Sequence, residues 1–342
     1  MTQVETAPDG APKRRRRWVR WLVAGVLVVV LALGGVAAFL LQRTGSALSK
    51  SSTGGSVTDL LKSDPLNGQS TGRVNILLAG NSADDPGHEG AELTDSIMVA
   101  SFNTTTHALT LVSVPRDLWV VHNGTGQKIN SVVTQGGMAA LAGVVEQVTG
   151  LHIDQQVLVD YRALKQAVDA VGGVDVTIAS NDKRGIYDAN TGLRLANGVQ
   201  HLNGDQALQL ARSRNDPVPG KVSYGLPNGD FDRTKYQRAI VEAILRQASS
   251  TSTLTNPQRL AELIDTVGAN VRTDLKASQM NTAIQLGRAS STVTGVSILG
   301  DANAPLLVDY TGTGGQSALA PAAGVGVYSG IKAYVAAKVG LT

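Results

Sequence analysis

Residues 21–41 contain no charged side chain and follow directly on six cations, Lys13, Arg14, Arg15, Arg16, Arg17 and Arg20. An apolar run of 21 residues is long enough to cross a bilayer as one helix. The other reading of such a start is a cleaved signal peptide, whose apolar region is usually only about 7–15 residues long and ends on small residues. Here the run closes on Leu40-Leu41-Gln42-Arg43. The cations stand before the helix and only Arg43 closely follows it. The positive-inside rule therefore leaves residues 1–20 in the cytoplasm and residues 42–342 outside the cell membrane, as a single-pass protein.

That division changes how the charge reads. Residues 1–43 hold seven of the 30 Lys and Arg and two of the 27 Asp and Glu, which leaves 23 against 25 in the remainder. The basic balance belongs to the anchor, and there is no bulk electrostatic case for nucleic acid. The chain has no cysteine, which excludes disulfides, thiol catalysis and cysteine zinc sites. Residues 42–72 are rich in Ser, Thr and Gly and read as a spacer, with a short helix near residues 57–62. Residues 73–342 suffice for a sizeable core.

Apolar runs at 74–80, 96–102 and 108–114 predict three strands, the last two joined by a hairpin turn over 103–107. Pro115 removes a backbone donor and should stop the third strand, so that Arg116 projects from the sheet end. In a hairpin the start of one strand lies beside the end of the next. Asp95 and Arg116 should therefore meet at one edge, with Ser82, Asp84 and Asp85 above it on the loop 81–94. Further on, the pattern predicts a helix opened by Gly136-Gly137 and closed by Gly150, a strand at 157–160, a helix at 161–171 stopped by Gly172-Gly173, and a strand at 174–178. Strand, helix and strand in that order read as a βαβ unit, so the expected class is α/β with a mixed sheet.

Three cationic groups stand out. Arg116 and Lys128 lie close together in sequence and suit a phosphate, the fork giving paired hydrogen bonds and the lysine a point charge; two solvated surface cations are the other reading. Arg212-Ser213-Arg214 follows a helix with the stripe Ala207, Leu208 and Ala211, and an extended chain there would put both arginines on one face. Arg233 and Gln237, four residues apart, continue the apolar stripe of Ile240, Val241 and Ile244 and should face inward, where polar groups need partners. A local pair between Arg233 and Asp230 would also satisfy the arginine.

Taken in order, the motifs NILLAG, LTDSIMV, LVSVPRDLWV, QKIN, VDAVGGVDV, LNGDQALQLARSRN and GDFDRTKYQRA, continuing to VDYTGTGGQSALAP, make the chain resemble the LytR-CpsA-Psr family, in its actinobacterial form. The resemblance spans the chain from about Arg73 to the C-terminus and implies an α/β/α domain outside the membrane. It implies a phosphotransferase that takes a glycopolymer from a polyprenyl pyrophosphate carrier and joins it by a phosphodiester to N-acetylmuramic acid of peptidoglycan. By the family pattern Arg116, Arg212, Arg214 and Arg233 bind the pyrophosphate, Gln237 supports them, Lys128 lies close by, and Asp95 holds Mg²⁺. Three positions depart from that pattern. Ser82 stands where the family has an acid, which leaves Asp84 or Asp85 as a replacement ligand, and Leu93 and Tyr236 stand where it has arginines. The departures leave a second class open, a binder of polyprenyl-linked polymer or peptidoglycan that does not turn it over.

Overall fold

The computed structural model describes residues 62–81, 92–250, 270–290, 292–301 and 304–341. The apolar run 21–41, the 57–61 part of the expected spacer helix, and Ser82, Asp84 and Asp85 lie outside the described residues, within which no helix is long and apolar enough to cross a membrane.

A six-stranded mixed sheet forms the centre. Its strands are β1 (Arg73–Asn81), β2 (Thr94–Asn103), β3 (Ala108–Val114), β6 (Gln155–Val159), β9 (Val271–Thr273) and β10 (Thr292–Ser297), in the order β9-β6-β1-β2-β3-β10. The pairs β1/β6 and β3/β10 are parallel and the other three antiparallel. Outside this sheet lie the hairpin β4 (Trp119–His122) and β5 (Thr125–Lys128), the pair β7 (Val174–Ile178) and β8 (Gly198–Leu202), and the hairpin β11 (Leu307–Thr311) and β12 (Ser317–Pro321).

Side chains alternate across β1 and feed two cores. Val74 and Ile76 face the helices α2 (Tyr161–Ala170), α3 (Gly204–Arg212), α4 (Asp230–Ser250) and α5 (Met280–Ala289). Leu77 and Ala79 face α1 (Val132–Thr149) and α6 (Ser329–Val339). The result is an α/β/α layering in which the sheet is buried on both faces, as its continuous apolar strands require.

The predicted strands at 74–80, 96–102 and 108–114 are present, and β3 ends at Val114, before Pro115. The βαβ reading needs correction. β7 leaves the central sheet and pairs antiparallel with β8, while the parallel neighbour of β1 is β6. Its burial alternates strictly along VDVTI, the pattern of a strand covered on one face only. The helix expected to open at Gly136-Gly137 and close at Gly150 does so, the non-helical backbone of the two glycines forming a kink that separates it from a preceding turn begun at Val132. The spacer also ends sooner than the composition suggests. Leu66 is buried in the core on the α4 side, and Gln279 donates to the Pro65 carbonyl at 3.0 Å.

The segment between β7 and α4 returns on itself at Gly225, which has φ +94°. A Cβ there would lie 2.2 Å from the Gly185 carbonyl oxygen, a backbone atom that cannot swing aside. Gly225→Ala is expected to cost about 2–4 kcal/mol, combining a disfavoured φ with overpacking. A thermal unfolding scan reads this, and an unchanged midpoint would contradict it.

Candidate functional site

The antiparallel pairing of β2 with β3 brings the start of one beside the end of the other, and the expected meeting occurs there. Arg116 Nη1 lies 2.5 Å from Asp95 Oδ1. Asp95 is 8 % exposed, so its charge is largely removed from water and needs this partner. Arg116 Nε stands 3.7 Å from Asp117 Oδ2, and Lys128 Nζ donates to Asp117 Oδ1 at 2.7 Å. Lys128 closes β5 and sits opposite Trp119 in the β4/β5 ladder, which sets its distance from Arg116.

The other oxygen of Asp95 meets a residue that carried no signal in the sequence. Tyr161, the first residue of α2, donates its hydroxyl to Asp95 Oδ2 at 2.5 Å. Burial, and then the Asp95 charge beside it, push the phenol well above its ordinary pKa. The hydroxyl is therefore a neutral donor across the physiological range. The Arg212 guanidinium lies over the Tyr161 ring, 4.9 Å from its centroid. Arg233 is 4 % exposed, and its Nη2 approaches the Asp95 carbonyl at 3.5 Å. Arg116, Arg212 and Arg233 thus converge from three elements on the pair Asp95–Tyr161.

Helix α3 reaches this point because a reciprocal cap fixes its start: Asn203 accepts from the Gln206 N–H while Gln206 accepts from the Asn203 N–H. At its other end Gln237 of α4 donates to the Ala211 carbonyl at 3.0 Å, which ties the two helices together next to Arg212. The alternation expected for Arg212 and Arg214 is corrected. Arg212 is the last residue of α3 and extended backbone begins only at Ser213, so helical geometry, not strand alternation, places it. Arg214 pairs with Asp216, with Nε at 2.9 Å and Nη2 at 2.5 Å, and its N–H donates to buried Asp188. At the family's third departure, Tyr236 is 1 % exposed and its hydroxyl accepts from the Ala179 N–H. That side chain serves the packing of α4 against β7.

Beside the cations opens an apolar groove of about 940 Å³, its mouth included. Its floor is the sheet, through Leu78, Gly80, Met98, Val157 and Val159, and its walls come from α2 and α4, through Leu164, Ile240, Val241 and Ile244. Asp95, Tyr161 and Gln237 line it as well, so groove and cationic cluster share an end. An apolar channel that runs into three guanidinium groups is the binding geometry for an amphiphile with an anionic head.

This defines an α/β/α protein with a site suited to a lipid phosphate. Residues 40–308 match the LytR_cpsA_psr family, and the chain belongs to that family. It is 31 % identical over 278 residues to a polyisoprenyl-teichoic acid–peptidoglycan teichoic acid transferase TagU of Bacillus mycoides, covering 78 % of this chain and 82 % of that one. Among solved structures it is similar to protein gbs0355 of Streptococcus agalactiae, with a TM-score of 0.62 and 20 % identity over 80 % of this chain and 89 % of that one. It is also similar to B. subtilis TagV, with a TM-score of 0.59 and 24 % identity over 79 % and 98 %. Both share the fold.

Proposed function

We propose that this protein joins a polyprenyl-pyrophosphate-linked glycopolymer to peptidoglycan by phosphoryl transfer. The observation that carries the reading is the apolar groove that ends on Arg116, Arg212 and Arg233 beside Asp95, a tail site and a pyrophosphate site in one. Membership of the family, and relatives named as teichoic acid transferases, support it.

In this reading the arginines take the pyrophosphate oxygens and hold the phosphorus next to the glycopolymer in line with an acceptor hydroxyl. The hydroxyl attacks, the bond between the two phosphates breaks, and polyprenyl phosphate leaves carrying the hydroxyl's proton, with its tail still in the groove. Charge growing on the departing phosphate is met by guanidinium groups already in place. Arg214 joins the set by exchanging Asp216 for a phosphate oxygen, and Lys128 does so from Asp117. Gln237 holds the end of α3 in position.

Mg²⁺ is part of the proposal, with Asp95 as its ligand and Asp84 as a second. No three His, Asp or Glu side chains gather as a metal site among the described residues. A hard cation that keeps waters and is held by one or two carboxylates plus substrate phosphates fits this donor set. Bound there, it would neutralise charge on the pyrophosphate. The proposal places the protein's action outside the cell membrane, with the apolar run 21–41 as its single anchor and the N-terminus in the cytoplasm.

One observation favours a second reading, binding without turnover: both oxygens of Asp95 are already engaged, by Arg116 and by Tyr161. Lipid that binds and is never consumed would select it.

Gly80 supplies the test of the groove. It lies on the floor, and a Cβ there would meet only ordinary contacts, at 3.5 Å from the Ser96 Cβ and 3.9 Å from Val159. Gly80→Ala should bind polyprenyl pyrophosphate as the parent does. Gly80→Phe should lose roughly 1–3 kcal/mol of binding, the range for overpacking, while inorganic pyrophosphate binds unchanged. Equal affinity of the parent for inorganic and polyprenyl pyrophosphate would contradict the tail site.

A further inference from the structure

Tyr161 owes its place to long-range pairing. β6 runs parallel to β1 with Val159 opposite Gly80, so the chain leaves β6 at the sheet edge where β2 begins. Asp160 then caps α2, accepting from the Ala163 N–H at 2.8 Å, and this fixes the first turn on which Tyr161 stands.

The two oxygens of Asp95 have unlike partners. Oδ2 faces a neutral phenol on a capped helix, mostly buried between the groove and the Arg212 guanidinium. Oδ1 faces Arg116, whose side chain keeps 18 % of its surface in solvent and which has Asp117 3.7 Å away as a second anion. Arg116 can therefore leave Asp95 for a phosphate without being stranded, while Tyr161 is held in place by the capped first turn of α2.

We propose that Tyr161 is the positioning residue for Asp95: its hydroxyl fixes Oδ2, so that Oδ1 is the oxygen passed from Arg116 to a divalent cation when the pyrophosphate arrives. The proposal rests on the reading of Asp95 as the metal ligand given above. A ligating carboxylate held by a hydrogen bond through its outer oxygen is the usual arrangement of such sites, and loss of the outer partner typically costs about 10–100-fold in metal affinity. It also gives an order of assembly, with the pyrophosphate drawing Arg116 away before the metal is held.

The test uses the full-length chain in detergent and farnesyl pyrophosphate as the probe, its affinity measured with and without Mn²⁺ for the parent, Tyr161→Phe and Asp95→Asn. Phenylalanine keeps the ring against Arg212 and the groove. Tyr161→Phe leaves Asp95 Oδ2 without its donor and should lower the unfolding midpoint modestly, so the readout that separates positioning from a structural role is the ratio of affinities with and without Mn²⁺ within the same folded variant. Its apparent Mn²⁺ affinity in the ternary complex should fall about 10–100-fold, and Asp95→Asn should lose the metal-dependent tightening altogether. Parental Mn²⁺ affinity in Tyr161→Phe, with the tightening lost in Asp95→Asn, would overturn the proposal and leave Asp95 as ligand. Parental tightening in Asp95→Asn as well would overturn both.

Discussion

Asp95→Asn is expected to cripple transfer while leaving lipid bound. The asparagine keeps the shape of the side chain and an acceptor for one partner, but it removes the negative charge among Arg116, Arg212 and Arg233. Two consequences follow with different signs. Turnover should fall on the order of 10²-fold or more, the scale seen when one preorganised electrostatic group is removed from an active site. Metal-free affinity for a polyprenyl pyrophosphate should hold or rise, because the substrate no longer competes with Asp95 for Arg116. Removing one member of a buried ion pair costs about 3–5 kcal/mol, but Arg116 keeps 18 % of its side chain in solvent, so about 1–3 kcal/mol of stability is expected to go. Single-turnover transfer, equilibrium binding and thermal unfolding read the three effects separately. Transfer at the parental rate would remove Asp95 from the chemistry.

Arg233→Ala is expected to weaken binding of the same lipid by about 1.5–3 kcal/mol, the value of a charge-assisted hydrogen bond. That is roughly a 10–150-fold rise in Kd. Arg233 is buried on the stripe that α4 turns to the core, where its Nη2 approaches the Asp95 carbonyl at 3.5 Å. Arg233→Lys should not restore the affinity, since an ammonium lacks the planar fork that engages two phosphate oxygens at once. Isothermal titration with farnesyl pyrophosphate measures both variants, and parental affinity in Arg233→Ala would show that the head group sits elsewhere.

How much of this was legible in the sequence depends on whether local order or long-range pairing set each position. The meeting of Asp95 and Arg116 follows from a single hairpin, whose register a short turn and two apolar runs already imply. Arg233 and Gln237 could be turned inward from their helical spacing alone, and the structure buries the first and half-buries the second. Tyr161 had no such signal. An aromatic residue opening an amphipathic helix reads as packing, and what makes it a partner of Asp95 is the parallel pairing of β6 with β1, strands separated by more than seventy residues.

β7 shows the converse error. Strand, helix and strand in sequence suggested one sheet, yet Val174-Asp175-Val176-Thr177-Ile178 alternates in polarity, and a central parallel strand would be apolar on both faces. The signal was present and outweighed by the order of elements. For Arg214 the deciding partner was Asp216, two residues away, in a segment whose prolines and glycines give no period to read.

The direct measurement is transfer itself. The full-length chain would be incubated with a polyprenyl-pyrophosphate-linked oligosaccharide, a peptidoglycan acceptor and Mg²⁺, and the products identified by mass spectrometry. The account predicts oligosaccharide joined to the acceptor through one phosphodiester, with one equivalent of polyprenyl monophosphate released and both products lost on chelation of the metal. Oligosaccharide transferred without its phosphate, leaving polyprenyl pyrophosphate behind, or lipid bound at saturation with neither product formed, would contradict it.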